Sequence, residues 1–242
     1  MIAPITKILD RAEISRGNSD SAYFLDLMYA GEQLTKLTTA GLIACVTDDS
    51  QRHRYSQMYK LVRADGIGEW STVIEEVLTG TTSQFFNPVV NDLQRQLTER
   101  VVKNTWQYEA TELIYKCVKI IEPTIESMPV KVAGKTWFHY FAILRNKTRG
   151  HGAHSSETYS KICSDLNKSI RLLGEKYTLF SEIQWAYLYR NLSGKYYVSD
   201  ISQNAASFHY LKTDRSQNFD NGVHIYLNKP TKVEMVISNS DL

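Results

Sequence analysis

In the segment ETYSKICSDLNKSIRLLGEKYTLFSEIQWAYLYRNLSGKYYVSDI, Glu157–Ile201, the apolar residues change their spacing part-way through. Tyr159, Ile162, Cys163, Leu166, Ile170 and Leu173 recur three or four positions apart, which predicts one face of an amphipathic helix over 157–177. Past Phe180 the step falls to two. Two alternating runs flank Asn191-Leu192-Ser193-Gly194, the pattern of a β hairpin. SFHYLKT and GVHIYLNKPTKVEMVIS keep the alternation, with Asn221-Gly222 and Lys229-Pro230 as turn signals. The expected fold is therefore mainly α: a helical bundle over residues 1–177, followed by a small antiparallel β module over 178–242. The chain stops at Ser240-Asp241-Leu242 directly after a strand-like run. That reads as the start of a longer C-terminal region, with a natural end as the other reading.

Upstream, the same helical period runs back toward the N-terminus. Phe24, Leu27, Met28, Leu34 and Leu37 stripe a helix over 21–46, with Ser19 and Asp20 as cap oxygens before it. A more polar helix is expected over 50–64, and Gly66 and Gly68 separate it from another over 69–78. Residues 80–88 read as a loop. A single long helix is expected over 90–121, striped by Val102, Trp106, Leu113, Ile114, Cys117, Val118 and Ile121 and stopped by Pro123. Residues 122–136 read as a connector with a short extended piece. Trp137, Phe141 and Leu144 then mark a helix running to about Arg149. Successive apolar faces of this kind must bury one another in a bundle.

Composition narrows the function classes. At 242 residues and 43% hydrophobic, the chain can bury one good core or two modest ones. A net charge of +2 gives no global basic field, so a nucleic-acid partner would need local clustering. Lys135, Arg145, Lys147 and Arg149 supply it, with no acid between them in sequence. Cys45, Cys117 and Cys163 are far apart, lie in apolar stretches and form no CxxC pair, so reduced core thiols are expected rather than a disulfide framework or zinc cluster. The N-terminal residues carry charges where a signal peptide needs an apolar stretch, and no apolar run reaches the length of a membrane span. A cytoplasmic protein without membrane contact is expected. There is no phosphate-binding glycine loop, no G-x-S-x-G and no paired-carboxylate signature.

The chemistry concentrates in FAILRNKTRGHGAHSS, Phe141–Ser156, where an apolar helix ends in Arg145-Asn146, two more cations and two histidines set among glycines. An arginine fork matches a phosphate and keeps its charge. A histidine titrates near neutral pH and can move a proton. Asn146 can donate to a phosphate oxygen or fix an imidazole tautomer. Each residue also has a plain reading. Seven positions after Leu144, His151 can extend the core stripe. Arg145 can pair with a bundle carboxylate, Lys147 and Arg149 can complement a helix C-terminus, and His154 can be a surface residue. His151 and His154 form an H-x-x-H pair without a third ligand nearby, so no metal and no cofactor is expected.

Arg145-Asn146-x-x-x-x-His151 resembles the signature of HEPN-domain ribonucleases, in which an arginine and a polar residue are followed, after four to six intervening positions, by a histidine late in a helical bundle. The resemblance covers roughly residues 20–175. It implies metal-independent RNA cleavage through the 2′-hydroxyl, with Arg145, Asn146 and His151 catalytic and Lys147, Arg149 and His154 binding RNA. It also implies a homodimer with the two motifs facing each other, and a regulatory or antitoxin partner in a toxin–antitoxin, abortive-infection or other antiviral system. On an unbroken helix Arg145 and His151 would stand about 120° apart and some 9 Å along the axis. Gly150 and Gly152, which can end the helix, or the dimer would have to bring them to one phosphate. The alternative is a non-catalytic HEPN-type module that binds a nucleotide or partner within a larger protein. Catalysis is favoured because binding alone does not call for a titratable group beside the fork.

Overall fold

The structure, a computed structural model, describes residues 1–47, 52–150, 154–202, 207–212, 218–227 and 230–233. Helix α1 (Ala3–Arg16) carries Pro4 in its first turn, which tolerates it because the missing N–H has no helical partner there. Helix α2 (Asp20–Ala44) starts where its sequence predicts, with the Ser19 hydroxyl accepting from the Ala22 N–H at 3.0 Å. Phe24, Leu27, Met28 and Leu34 are fully buried on it. Helices α3 (His53–Val62) and α4 (Ile67–Thr79) follow, and the Gly66 N–H is capped by the Glu69 carboxylate at 2.7 Å. The expected loop over 80–88 holds 3₁₀ turns at Thr81–Phe85 and Pro88–Val90 and is tied back to the end of α2 by the Val46–Phe86 bridge.

One long helix over 90–121 does not form. Helix α5 (Asn91–Thr98) ends early, strand β1 (Arg100–Val101) follows, and helix α6 (Trp106–Ile121) starts afresh from an N-cap at Thr105. The break has local and tertiary causes. Asn104 sits in the left-handed region at φ 73°, and the Thr105 hydroxyl takes the Tyr108 N–H at 3.4 Å. β1 is held by antiparallel pairing with strand β2 (Val132–Ala133), the extended piece of the connector. Val102, placed in the helical stripe by periodicity, is exposed.

Helix α7 (Thr136–Arg145) buries Trp137, Phe141 and Leu144 and passes into a π-helical turn, Asn146–Gly150. Helix α8 (Ser156–Lys176) buries all six residues of its predicted stripe. Trp137 donates to Ser169 Oγ at 2.7 Å, and that hydroxyl donates to the Ala110 carbonyl at 2.7 Å, so one buried chain ties α7, α8 and α6. At Gly31, α2 and α7 touch: a Cβ there would lie 2.2 Å from Phe141 Cε2. That close approach brings Glu32, the next residue, beside the end of α7.

After the short helix α9 (Thr178–Ser181), strands β3 (Gln184–Arg190), β4 (Tyr196–Asp200), β5 (His209–Leu211), β6 (Gly222–Tyr226) and β7 (Pro230–Lys232) form an antiparallel sheet in the order β5-β4-β3-β6-β7. The fold is thus mainly helical with a small antiparallel sheet, as the change of period implies. Leu179, Phe180, Trp185, Ile225 and Val233 join the same buried cluster as the helices, so the hydrophobic core is continuous across residue 177. Gly41 makes room for that junction, since a Cβ would meet Leu179 and Trp185 at 3.0–3.1 Å.

Candidate functional site

The end of α7 carries the residues singled out by sequence, and the structure distributes them. Arg145 and Arg149 lie on one side, where both pair with the same carboxylate oxygen, Glu32 Oε1, at 3.1 and 3.0 Å. Lys147 lies on another side and pairs with Glu122 beyond the end of α6 at 2.6 Å, which holds the Glu122 carboxyl below its usual range. Lys135, at the start of α7, pairs with Glu75 of α4. The run of cations that looked continuous in sequence is therefore divided among three places, each with an acid from a distant element.

Two clefts flank α4. One, of about 150 Å³, is lined by Glu32 and Lys36 of α2, by Asp65, Gly66 and Trp70, and by Arg145 and Arg149. Its charges are three cations against two carboxylates. Lys36 lies over the Trp70 ring, 5.7 Å from the centroid. Glu32 is only 14% exposed and engages Arg145 through Nε. Among the described residues no hydrogen bond holds the two Nη groups of Arg145, the fork that fits two phosphate oxygens. The plain reading of Arg145, an ion pair with a bundle carboxylate, is thus observed, and it leaves the recognising end of the guanidinium uncommitted.

The second cleft, of about 540 Å³, lies between α4 and α7 and is lined by Ser71, Thr72, Glu75, Lys135, His139 and Asn146 among others. Asn146 faces this cleft and not the one lined by Arg145. The exposed His139 stands seven residues before Asn146 and shares its cleft. His151 lies outside the described residues. His154 is half-buried, with Nε2 3.3 Å from the Lys147 carbonyl and its ring edge-on to Tyr159. Of the three expected RNA contacts, only Arg149 shares a cleft with Arg145.

The π-helical turn has a visible anchor. The Thr148 hydroxyl, buried, donates to the Leu144 carbonyl at 2.7 Å, satisfying an acceptor at the end of α7. Glu32 and Lys36 are the residues sequence reading missed. Their i,i+4 spacing on a helix is what any solvated Glu–Lys pair shows, and nothing local marks them as lining a cleft. Cys45, Cys117 and Cys163 are free and buried, as their apolar settings imply. Among the described residues no group of three or more His, Cys, Asp or Glu is arranged to hold a metal ion, and no helix is long and apolar enough to cross a membrane. No family model, curated protein or solved structure matches the chain.

Proposed function

We propose that this chain is a metal-independent endoribonuclease of HEPN type, acting as a homodimer, with a regulatory or antitoxin partner holding it in check. The observation that carries the reading is the convergence of Arg145 and Arg149 on Glu32 in a cleft that also presents Lys36. Two guanidinium forks and an ammonium around one small polar cleft match the charge and geometry of a phosphodiester. Arg145 takes the non-bridging oxygens and stabilises the charge that grows there in the transition state. His151 moves the proton: the 2′-oxygen gives up its proton and attacks phosphorus, the bond to the 5′-oxygen breaks, and a protonated 5′-hydroxyl leaves. Asn146 orients one of these groups across the α7 end. Lys147 and His154 contact the RNA strand outside the cleft.

His151→Ala and Arg145→Ala are each expected to lower cleavage of a labelled RNA by about 10²–10³-fold, with Asn146→Ala less damaging. Activity should survive EDTA and leave 2′,3′-cyclic phosphate ends. An active protein indifferent to His151→Ala overturns the assignment.

The second reading, a non-catalytic module that binds a nucleotide or partner, is favoured by the acid partner that each cation of the run carries. RNA or nucleotide binding that depends on Arg145, with no cleavage in the dimeric state, selects it.

A further inference from the structure

One face of the sheet carries five aromatic rings in two rows. The register sets Tyr189 opposite Tyr197 and Tyr197 opposite Tyr210 across β3, β4 and β5. Two residues along, Tyr187 stands opposite Ser199, and Phe208 lies one residue beyond the last paired position of β5. Ser199 is small, so Phe208 leans over it to reach Tyr187 at 6.3 Å and Tyr189 at 5.0 Å. Tyr189 and Tyr197 are stacked at 5.3 Å, and Tyr210 meets Tyr197 edge-on at 6.1 Å. These rings brace one another but are not covered: Tyr187, Phe208 and Tyr210 are 40%, 50% and 59% exposed. Contiguous exposed aromatics on a rigid sheet mark a binding surface more often than an accident of composition.

The next step along the strands is cationic. The Asn191 N–H bonds the Lys195 carbonyl at 2.9 Å, which carries the β3–β4 ladder one step further and puts Lys195 on the face of Tyr197. Lys212 follows Tyr210 by the same two-residue step, and both lysines are exposed. No carboxylate among the described residues occupies these three rows. Aromatic rings about 7 Å apart along the strands, ending in a pair of lysines, match a chain of flat apolar rings on an anionic backbone.

We infer that this face is a stacking platform for unpaired RNA bases, with Lys195 and Lys212 meeting the phosphates. The choice of RNA rests on the functional reading above, whereas the platform itself rests on the rings and lysines alone. It shares no residue with the lining of the arginine cleft, and it would hold a single-stranded flank of the RNA whose phosphate enters that cleft. Binding of this kind is tolerant of sequence, because every base has a face to stack.

The test is fluorescence anisotropy of the whole chain with a labelled 2′-O-methyl oligouridylate, which binds but cannot be cut. Phe208→Ala and Tyr210→Ala are each expected to weaken binding about tenfold, while Tyr210→Phe, which keeps the ring, binds as the wild type does. The exposed Lys195→Glu with Lys212→Glu weakens it as well, and serves if a ring deletion disturbs the sheet. Wild-type chain that binds no oligonucleotide, or alanine variants that bind unchanged, overturn the platform. Variants that alter only self-association also overturn it and make the face a contact between copies. Cleavage is measured in parallel: binding that depends on the rings in a chain that cuts nothing removes the nuclease reading alone, and intact cleavage with ring-independent binding removes the platform alone.

Discussion

Glu32 is the residue on which the arginine cleft turns. It is mostly buried and holds Arg145 and Arg149 with one oxygen, so it aims the guanidinium groups and, on the proposed function, would compete with an incoming phosphate. Glu32→Gln keeps the shape and removes the charge. The expected outcome is a split: RNA binds more tightly, because a competing anion is gone, while turnover falls about tenfold because Arg145 is less well aimed. Steady-state kinetics showing kcat unchanged or raised would show that Glu32 only obstructs. The buried thiols make a separate prediction about pH. Burial pushes Cys45 from the ordinary 9.0 to about 12, and Cys117 is raised by the same cause. A group whose folded value is raised contributes stability that is complete below its unfolded value and is lost as pH climbs through the folded one. Denaturation midpoints should therefore drop between about pH 9 and 12 on this account, and Cys45→Ala should flatten that drop even though it lowers the midpoint at neutral pH.

Among the elements, the contact of α2 with α7 sets the site. Gly31 is required there by close approach rather than by backbone angle: its Cβ position is already filled by the Phe141 ring. Gly31→Ala should cost about 1–3 kcal/mol by overpacking, read as a lower denaturation midpoint. It should also push Glu32 away from Arg145. Phe141→Leu alone leaves a void, so the double variant should be more stable than the two single losses imply. Strict additivity would show that α2 and α7 relax independently. The π-helical turn belongs to the same scale. It carries the chain past Arg145 with Thr148 turned inward, and Arg149 reaches the same carboxylate as Arg145. Helix α6 shows how far a local pattern can mislead: apolar residues continued in phase through Val102, but a cap at Thr105 and pairing of Arg100–Val101 with Val132–Ala133 outweighed the period.

For the molecule as a whole, the continuous core makes the sheet part of what stabilises the helices. Trp185 and Leu179 pack on α2 at Gly41, and Trp185 donates its indole N–H to the Leu179 carbonyl at 2.7 Å. A chain cut after residue 177 would expose that apolar surface on α2. It is expected to keep helical circular dichroism but to lose a cooperative thermal transition and to bind a hydrophobic dye. A sharp two-state melt of the fragment would show that the helices need nothing from the sheet. The proposed dimer belongs here too: light scattering at micromolar concentration should give twice the chain mass, and a strict monomer that cuts RNA would require Arg145 and His151 to serve one phosphate within one chain.

The sequence alone determined what depends on neighbours a few residues apart. The helical faces of α2, α7 and α8, the cap at Ser19, the change of period after Phe180 and the reduced thiols all follow from spacings of two to four residues and from side-chain polarity, which act wherever the segment ends up. Arg145, Asn146 and Arg149 were legible as a polar, cationic end to an apolar helix for the same reason. Their destinations were not. Consecutive helical residues point about 100° apart, so Arg145 and Asn146 had to enter different clefts, and which clefts those are depends on partners far away in sequence. Glu32 lies 113 positions before Arg145, and only the packing of Gly31 against Phe141 brings it there. The aromatic rows tell the same story: each tyrosine was visible in its strand, but strand order and register, which hydrogen bonds between distant segments decide, assembled them into one surface.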